Sequence, residues 1–143
     1  MTPAEFIKGF TYAKGTPFDG IRRTNTGDCD EFVWGLLCEL EGGVRGALKA
    51  LWSGKAEIWR VCSPVNGMLA RHVALKHRGQ PGDGREWIDS TNRIWRETPF
   101  PHAPVRRMRL VTVLPMLIWG TTPGKIAILA AFALPWLQLL GVI

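Results

Sequence analysis

Three short stretches, Gly27-Asp28-Cys29-Asp30-Glu31-Phe32, Arg71-His72-Val73 and Trp87-Ile88-Asp89-Ser90-Thr91, set a thiol, an imidazole and a carboxylate along the chain in that order. A thiolate can attack a carbonyl carbon, an imidazole can take the thiol proton and return it to a leaving amine, and a carboxylate can orient the imidazole and stabilise its charged form. Cys29, His72 and Asp89 are therefore the candidate catalytic residues, as nucleophile, base and orienting acid. Asn25 and Thr26, just before the thiol, are the candidate side-chain donors to an oxyanion beside the Cys29 backbone N–H; turn formation and capping are the alternative roles for both.

The elements that must position these groups follow from local chemistry. Asp28 is suited to cap a helix and Glu31 to reach back to it in a capping box, which puts Cys29 in the first turn. Phe32, Val33, Leu36, Leu37 and Leu40 then form one apolar stripe that ends at Gly42-Gly43, so a helix is expected over residues 29–41. The free N–H groups of the first turn favour a thiolate, whereas Asp28, Asp30 and Glu31 oppose it, so the helix alone does not activate the sulfur. Residues 56–62, 69–78 and 85–90 read as three strands of an antiparallel meander, separated by turn signals at Pro64-Val65-Asn66-Gly67 and Gln80-Pro81-Gly82-Asp83-Gly84. A turn centred between Gln80 and Pro81 sets His72 directly across from Asp89. A longer loop centred on Gly82 offsets them by three residues.

A Gly-Asp-Cys-Asp-Glu-Phe segment opening a helix, a His on a strand and Trp-Ile-Asp-Ser-Thr on the next strand together resemble the transglutaminase-like branch of the papain-like cysteine enzymes, closest to the bacterial transglutaminase-like cysteine proteinases. The resemblance covers roughly residues 4–95. It implies an α+β papain-like domain with the nucleophile helix packed on an antiparallel sheet, the triad Cys29, His72 and Asp89, and hydrolysis or transfer at a peptide or amide bond. It carries no cofactor.

At the start of the chain, Thr2-Pro3-Ala4-Glu5 is a helix-start signal with Phe6, Ile7 and Phe10 facing the core, and no signal-peptide run precedes it. Residues 11–27 read as an irregular loop forming one wall of a cleft, in which Arg22-Arg23 can meet an acidic substrate or simply face solvent. Residues 44–52 suit a second short helix carrying Ala47, Leu48 and Leu51 inward and ending at Gly54. Cys29 and Cys38 on one helix are about 13 Å apart along its axis, too far for a disulfide, so Cys29, Cys38 and Cys62 are expected to be reduced. No Cys-x-x-Cys or closely spaced His pair beside a Cys is present, so no metal site is expected. His77 and His102 are read as surface or packing residues.

The 143 residues, 46% of them hydrophobic, suffice for one domain with a core. Residues 97–104, with Pro99, Pro101 and Pro104, read as an extended connector, so a hydrolase domain over residues 1–104 and a basic, apolar C-terminal segment over 105–143 are expected. Arg106, Arg107 and Arg109 precede an apolar run over residues 110–119, too short to span a bilayer. After a Gly-Thr-Thr-Pro-Gly-Lys turn, residues 126–143 give eighteen uncharged positions, the lower limit for a spanning helix. Thr122-Pro123 supplies its start signal. A membrane-seeking helix or helical hairpin is expected, with Trp119 and Trp136 suited to interfaces and the N-terminal domain kept cytoplasmic by the flanking positive charge. A hydrophobic helix buried in an oligomer is the alternative. The net charge of +6 lies partly beside this segment, which favours anionic lipid over nucleic acid as the partner.

The sequence thus leads to a membrane-associated thiol hydrolase or acyltransferase acting on a peptide or protein substrate. The competing reading is a non-catalytic assembly protein on the same fold, such as a phage tail or ejection component whose residues 110–143 pack in a virion or enter a host membrane.

Overall fold

Capping chemistry sets the first two helices of the computed structural model, which describes residues 1–13, 20–21, 23–62, 72–79, 83–99 and 102–142. In α1 (Pro3–Gly9) the Thr2 hydroxyl accepts from the Glu5 N–H at 3.2 Å, while the Glu5 carboxylate accepts from the Thr2 N–H at 2.7 Å. In α2 (Cys29–Glu41) Asp28 caps in the same reciprocal way: its N–H donates to Glu31 Oε2 at 2.9 Å and its carboxylate accepts from the Asp30 N–H at 3.1 Å. Gly27 leaves room for this, because a Cβ there would collide with the Glu31 carboxylate. Gly42 ends α2 at φ 76°, where a side chain would be strained. The third helix, α3 (Val44–Ser53), follows at once.

Residues 11–27 are irregular only in part. Strands β1 (Thr11–Tyr12) and β2 (Thr26–Gly27) pair in parallel, Thr11 with Thr26 and Tyr12 with Gly27, and so draw the loop closed just before the thiol. Arg22 lies outside the described residues.

The main sheet is antiparallel, in the order β5-β4-β3-β6. It comprises β3 (Ala56–Cys62), β4 (His72–His77), β5 (Trp87–Asp89) and β6 (Ala103–Met108). The expected strand over 56–62 is β3; the expected strand over 69–78 is described only from His72 onward. Arg71, the turn at residues 64–67 and positions 80–82 lie outside the described residues.

The fourth strand shortens the connector expected over residues 97–104 at its end. Ala103 and Pro104 already pair with Cys62 and Val61, and Arg106, Arg107 and Met108 continue along β3 after a bulge. The boundary expected after residue 104 falls inside this strand. Proline and arginine suit it because β6 is an edge, where a missing N–H costs no ladder bond and charge discourages pairing with other chains.

The core lies between α2 and the face of the sheet that carries Ile58, Val73, Leu75 and Ile88. Phe32, Val33, Leu36 and Leu37 are fully buried there. Each such side chain contributes about 1.5–3 kcal/mol of burial. Phe6, Phe10 and Phe32 meet with ring centroids 5.2–6.0 Å apart and join α1 to α2. Arg93 locks the segment after β5 onto the same cluster: its guanidinium donates to Phe10 O at 2.7 Å and Ile7 O at 3.3 Å and lies over the Phe10 and Phe32 rings.

Beyond β6 the chain enters α4 (Leu110–Trp119) with Arg109 as the cap residue, then turns into α5 (Thr122–Leu139). The two form a hairpin, and α4 also packs on α3. Val113 is buried in the core, with Leu110, Met116 and Leu117 packed against it. The α4 end is clasped by the loop before Cys29: the Ile21 N–H donates to Met116 O at 3.0 Å. Gly20 sits at φ 71°, and a Cβ there would lie 2.6 Å from Gly120 N and 2.7 Å from Met116 O. Helix α5 is different, since only Gly124 is buried in it. It is long and apolar enough to cross a membrane, with mean hydropathy 1.2.

Candidate active site

The capping box places Cys29 in the first turn of α2, half-buried, with its sulfur receiving the N–H of Val73, the residue that follows His72. Helix α2 thus meets β4 at the strand's first residues. Burial pushes the Cys29 thiol up to about 12, and the Asp30 and Asp28 carboxylates add to the rise against the N–H groups of Val73 and Cys29. Asp30 Oδ1 is 3.9 Å from the sulfur. The opposition expected between helix end and local carboxylates is therefore won by desolvation and charge, and the resting sulfur is a thiol. Asp30 itself is raised to about 6, first by burial and then by Asp28, while Arg60 and His72 draw it down.

His72 opens β4 and Asp89 ends β5. Their register is neither of the two considered: Ala74 pairs with Asp89, so His72 is diagonal to Asp89, two residues along and on the same face of the sheet. His72 Nε2 stands 3.4 Å from Asp89 Oδ1, without hydrogen-bond alignment. Asp89 is 5% exposed at its side chain, and Oδ1 accepts from the Thr91 and Asn92 N–H groups at 2.8 and 2.7 Å. Burial alone would raise its carboxyl; the His72 contact and these two N–H groups hold it below the ordinary value. The Asp-Ser-Thr-Asn run is thus an Asx-type turn that locks the carboxylate toward the imidazole.

Asn25 and Thr26, the expected oxyanion donors, are exposed and bond locally. The Thr26 hydroxyl reaches Asn25 Oδ1 at 3.5 Å, and the Thr26 N–H donates to Thr24 Oγ1 at 3.3 Å. Tyr12 lies on the paired strand β1. Its phenol is raised by burial and then by Cys29, Asp28 and Asp30.

Of the surface or packing roles expected for His77 and His102, both take the packing one. His77 is buried; its Nδ1 accepts from the Gly79 N–H at 3.2 Å, so Nε2 carries the proton and donates to Glu41 Oε1 at 2.6 Å. It fastens the end of α2 to β4. His102 stacks on His72 with ring centroids 4.7 Å apart and brings Nδ1 to 3.7 Å from Asp89 Oδ2. Burial pushes the His102 imidazole down, Asp89 opposing and His72 adding to the shift. His72, Asp89 and His102 each offer a ligand atom within 4.8 Å of the others, a metal-capable set that sequence spacing did not suggest. Among the described residues the three cysteines form no disulfide, and Cys38 is fully buried and raised to about 11 chiefly by that burial.

A second region has a different character. Arg106, Arg107, Arg109, Leu110, Val111, Thr112, Leu51 and Trp52 line a wide groove where β6 passes into α4. Arg107 is paired with Glu57 at 3.5 Å, and Trp52 is largely exposed.

Compared with known protein families, with curated proteins and with solved structures, the chain gives no match.

Proposed function

We propose that this chain is a thiol hydrolase or acyltransferase of the transglutaminase-like papain class, acting on a peptide or amide bond. The observation that carries the reading is the meeting of a capped Cys29 with the first residues of β4, where His72 faces a carboxylate fixed by two backbone N–H groups. In this role the Cys29 sulfur forms a bond to the substrate carbonyl carbon as its proton passes to His72 Nδ1. The amide C–N bond then breaks, the same proton leaves with the amine, and water or a second amine resolves the thioester. Because the thiol is held at about 12, proton removal belongs to the attack itself and not to a standing thiolate–imidazolium pair. Asp89 acts through His72 as its orienting partner. The oxyanion is met by the Cys29 N–H in this role, since the Thr26 hydroxyl bonds to Asn25 and the Thr26 N–H to Thr24. The substrate is a peptide or protein.

Helix α5 inserts in a membrane in this proposal, with Arg106, Arg107 and Arg109 at the anionic surface and the N-terminal domain on the cytoplasmic side. The alternative, a non-catalytic assembly protein such as a virion tail or ejection component, is favoured by the raised thiol and by the apolar face of α5. Iodoacetamide distinguishes the two. Catalysis requires Cys29 labelling to slow in His72→Ala, because the His72 imidazole takes the proton as the sulfur attacks; Cys29 labelling that does not depend on His72 favours assembly.

A further inference from the structure

The two histidines and the carboxylate come from separate elements: His72 from the start of β4, Asp89 from the end of β5, and His102 from the residue before β6. Both imidazoles aim a buried nitrogen at the same carboxylate, and neither nitrogen has a hydrogen-bond partner among the described residues. The His102 side chain is 8% exposed and that of Asp89 5%. Two buried, unpartnered ring nitrogens side by side are costly unless something satisfies them.

We propose that His72 Nε2, His102 Nδ1 and Asp89 Oδ2 form a binding site for a divalent transition-metal ion, best suited to zinc, and that metal binding and base catalysis by His72 exclude one another. The exclusion rests on the thiol-hydrolase reading; the site does not. Bonds of about 2.0–2.2 Å at tetrahedral angles bring neighbouring ligand atoms to roughly 3.4 Å; His102 Nδ1 lies 3.7 Å from Oδ2, His72 Nε2 lies 3.4 Å from the companion oxygen Oδ1, and one ligand atom from each of the three residues lies within 4.8 Å of the others. Two imidazoles and one carboxylate suit zinc better than calcium or magnesium, which prefer all-oxygen shells. Asp89 Oδ1 is already held by the Thr91 and Asn92 N–H groups, which leaves Oδ2 to the ion and supplies the outer-shell support that metal carboxylates use. Three protein ligands leave a fourth position to water.

The exclusion follows from the tautomer. To receive the thiol proton, His72 needs its lone pair on Nδ1 and its proton on Nε2, facing Asp89. To bind metal through Nε2, it must carry the proton on Nδ1, where it has no lone pair for the thiol. One imidazole cannot do both, and the ion also takes Asp89 from it.

The test uses tag-free full-length chain in mild detergent, stripped with a chelator and titrated with zinc by calorimetry. One ion per chain is expected, with affinity at least tenfold weaker in His102→Ala and in His102→Gln and within about twofold of wild type in Cys29→Ser. No saturable binding up to millimolar zinc overturns the site. So does loss of binding in Cys29→Ser with retention in the His102 variants, which would place the ion on Asp28, Cys29 and Asp30, whose ligand atoms also lie within 4.8 Å of one another. X-ray absorption on the zinc-loaded wild type guards against misfolded variants: only nitrogen and oxygen neighbours are expected, and a sulfur neighbour overturns the assignment. Zinc should also slow Cys29 alkylation at least tenfold in the wild type, and an unchanged rate at saturating zinc overturns the exclusion. If Cys29 shows no His72-dependent reactivity at all, the hydrolase reading fails while the isotherm still decides the site.

Discussion

Helices α2 and α5 are both rich in apolar residues, yet the chain treats them in opposite ways. In α2 every residue from Glu31 to Cys38 is buried, and the polar positions sit at its two ends, where Asp28 caps and Glu41 receives His77. In α5 Leu129, Phe132, Trp136 and Leu139 are all more than half exposed, and Gly124 alone is buried. The core face of the sheet is covered by α2 together with α3, which brings in Ala47, Ala50 and Leu51. A domain of this size has no second apolar surface to offer, so the α5 face is available to something outside the fold.

Removing either region should therefore have unlike consequences, and the largest is physical state. The full chain should float with liposomes and resist stripping by high salt, whereas a chain ending at Thr121 should stay in the aqueous phase with its folding transition kept. Ending at Pro104 should abolish the cooperative transition, because it cuts β6 and removes Met108 and Val113 from the core. A soluble full-length monomer would erase the contrast between the helices.

Next in size are the effects on α2's own chemistry. Cys29→Ala should remove turnover, and Asp89→Asn should lower kcat by about 10²–10⁴-fold while the melting temperature moves little, as read by steady-state kinetics beside thermal melting. A drop in melting temperature with unchanged kcat would make Asp89 a structural cap. For a thiol near 12, the log of the alkylation rate should climb about one unit per pH unit from pH 7 to 10, and a plateau below pH 9 would show that the sulfur has already lost its proton.

A smaller effect belongs to Asp30. Its carboxyl is raised from 3.8 to about 6, so the native state binds that proton more tightly than the unfolded chain does. The stability it gives is complete below pH 3.8 and is lost as pH rises through 6. Asp30→Asn should thus gain about 1–3 kcal/mol at pH 7 and nothing at pH 3 in urea unfolding, and should speed Cys29 alkylation at pH 7. Smallest in reach is Gly20→Ala, which should cost about 1–3 kcal/mol because backbone atoms of α4 occupy the Cβ position. Its melting curve reports whether α4 belongs to the domain or to the membrane segment.

How far the sequence disclosed these features depends on how local their causes are. Asp28 with Glu31, and Thr2 with Glu5, disclose their helices because a capping box is contained in four residues. Strand β3 is legible from its own β-branched and aromatic residues. Strand β6 is not, since Pro104, Arg106 and Arg107 look like a connector until a partner strand makes them an edge. The diagonal placement of His72 and Asp89 depends on the length of the turn between them, which no residue type states. His102 is invisible for the same kind of reason: its neighbours in the site are 30 and 13 positions away along the chain, and only the pairing of β6 with β3 brings them together.

The clasp between Gly20-Ile21 and the end of α4 makes one lever of two parts that otherwise share no chemistry. A hairpin anchored in a bilayer fixes the tilt of α4, and α4 holds the loop whose other end, at Asn25 to Gly27, leads directly into Cys29. No free linker lies between Met108 and α4 to absorb rotation. The thiol would then work at one height and one orientation above the membrane surface, so bilayer thickness itself would select which substrate bonds come within its reach.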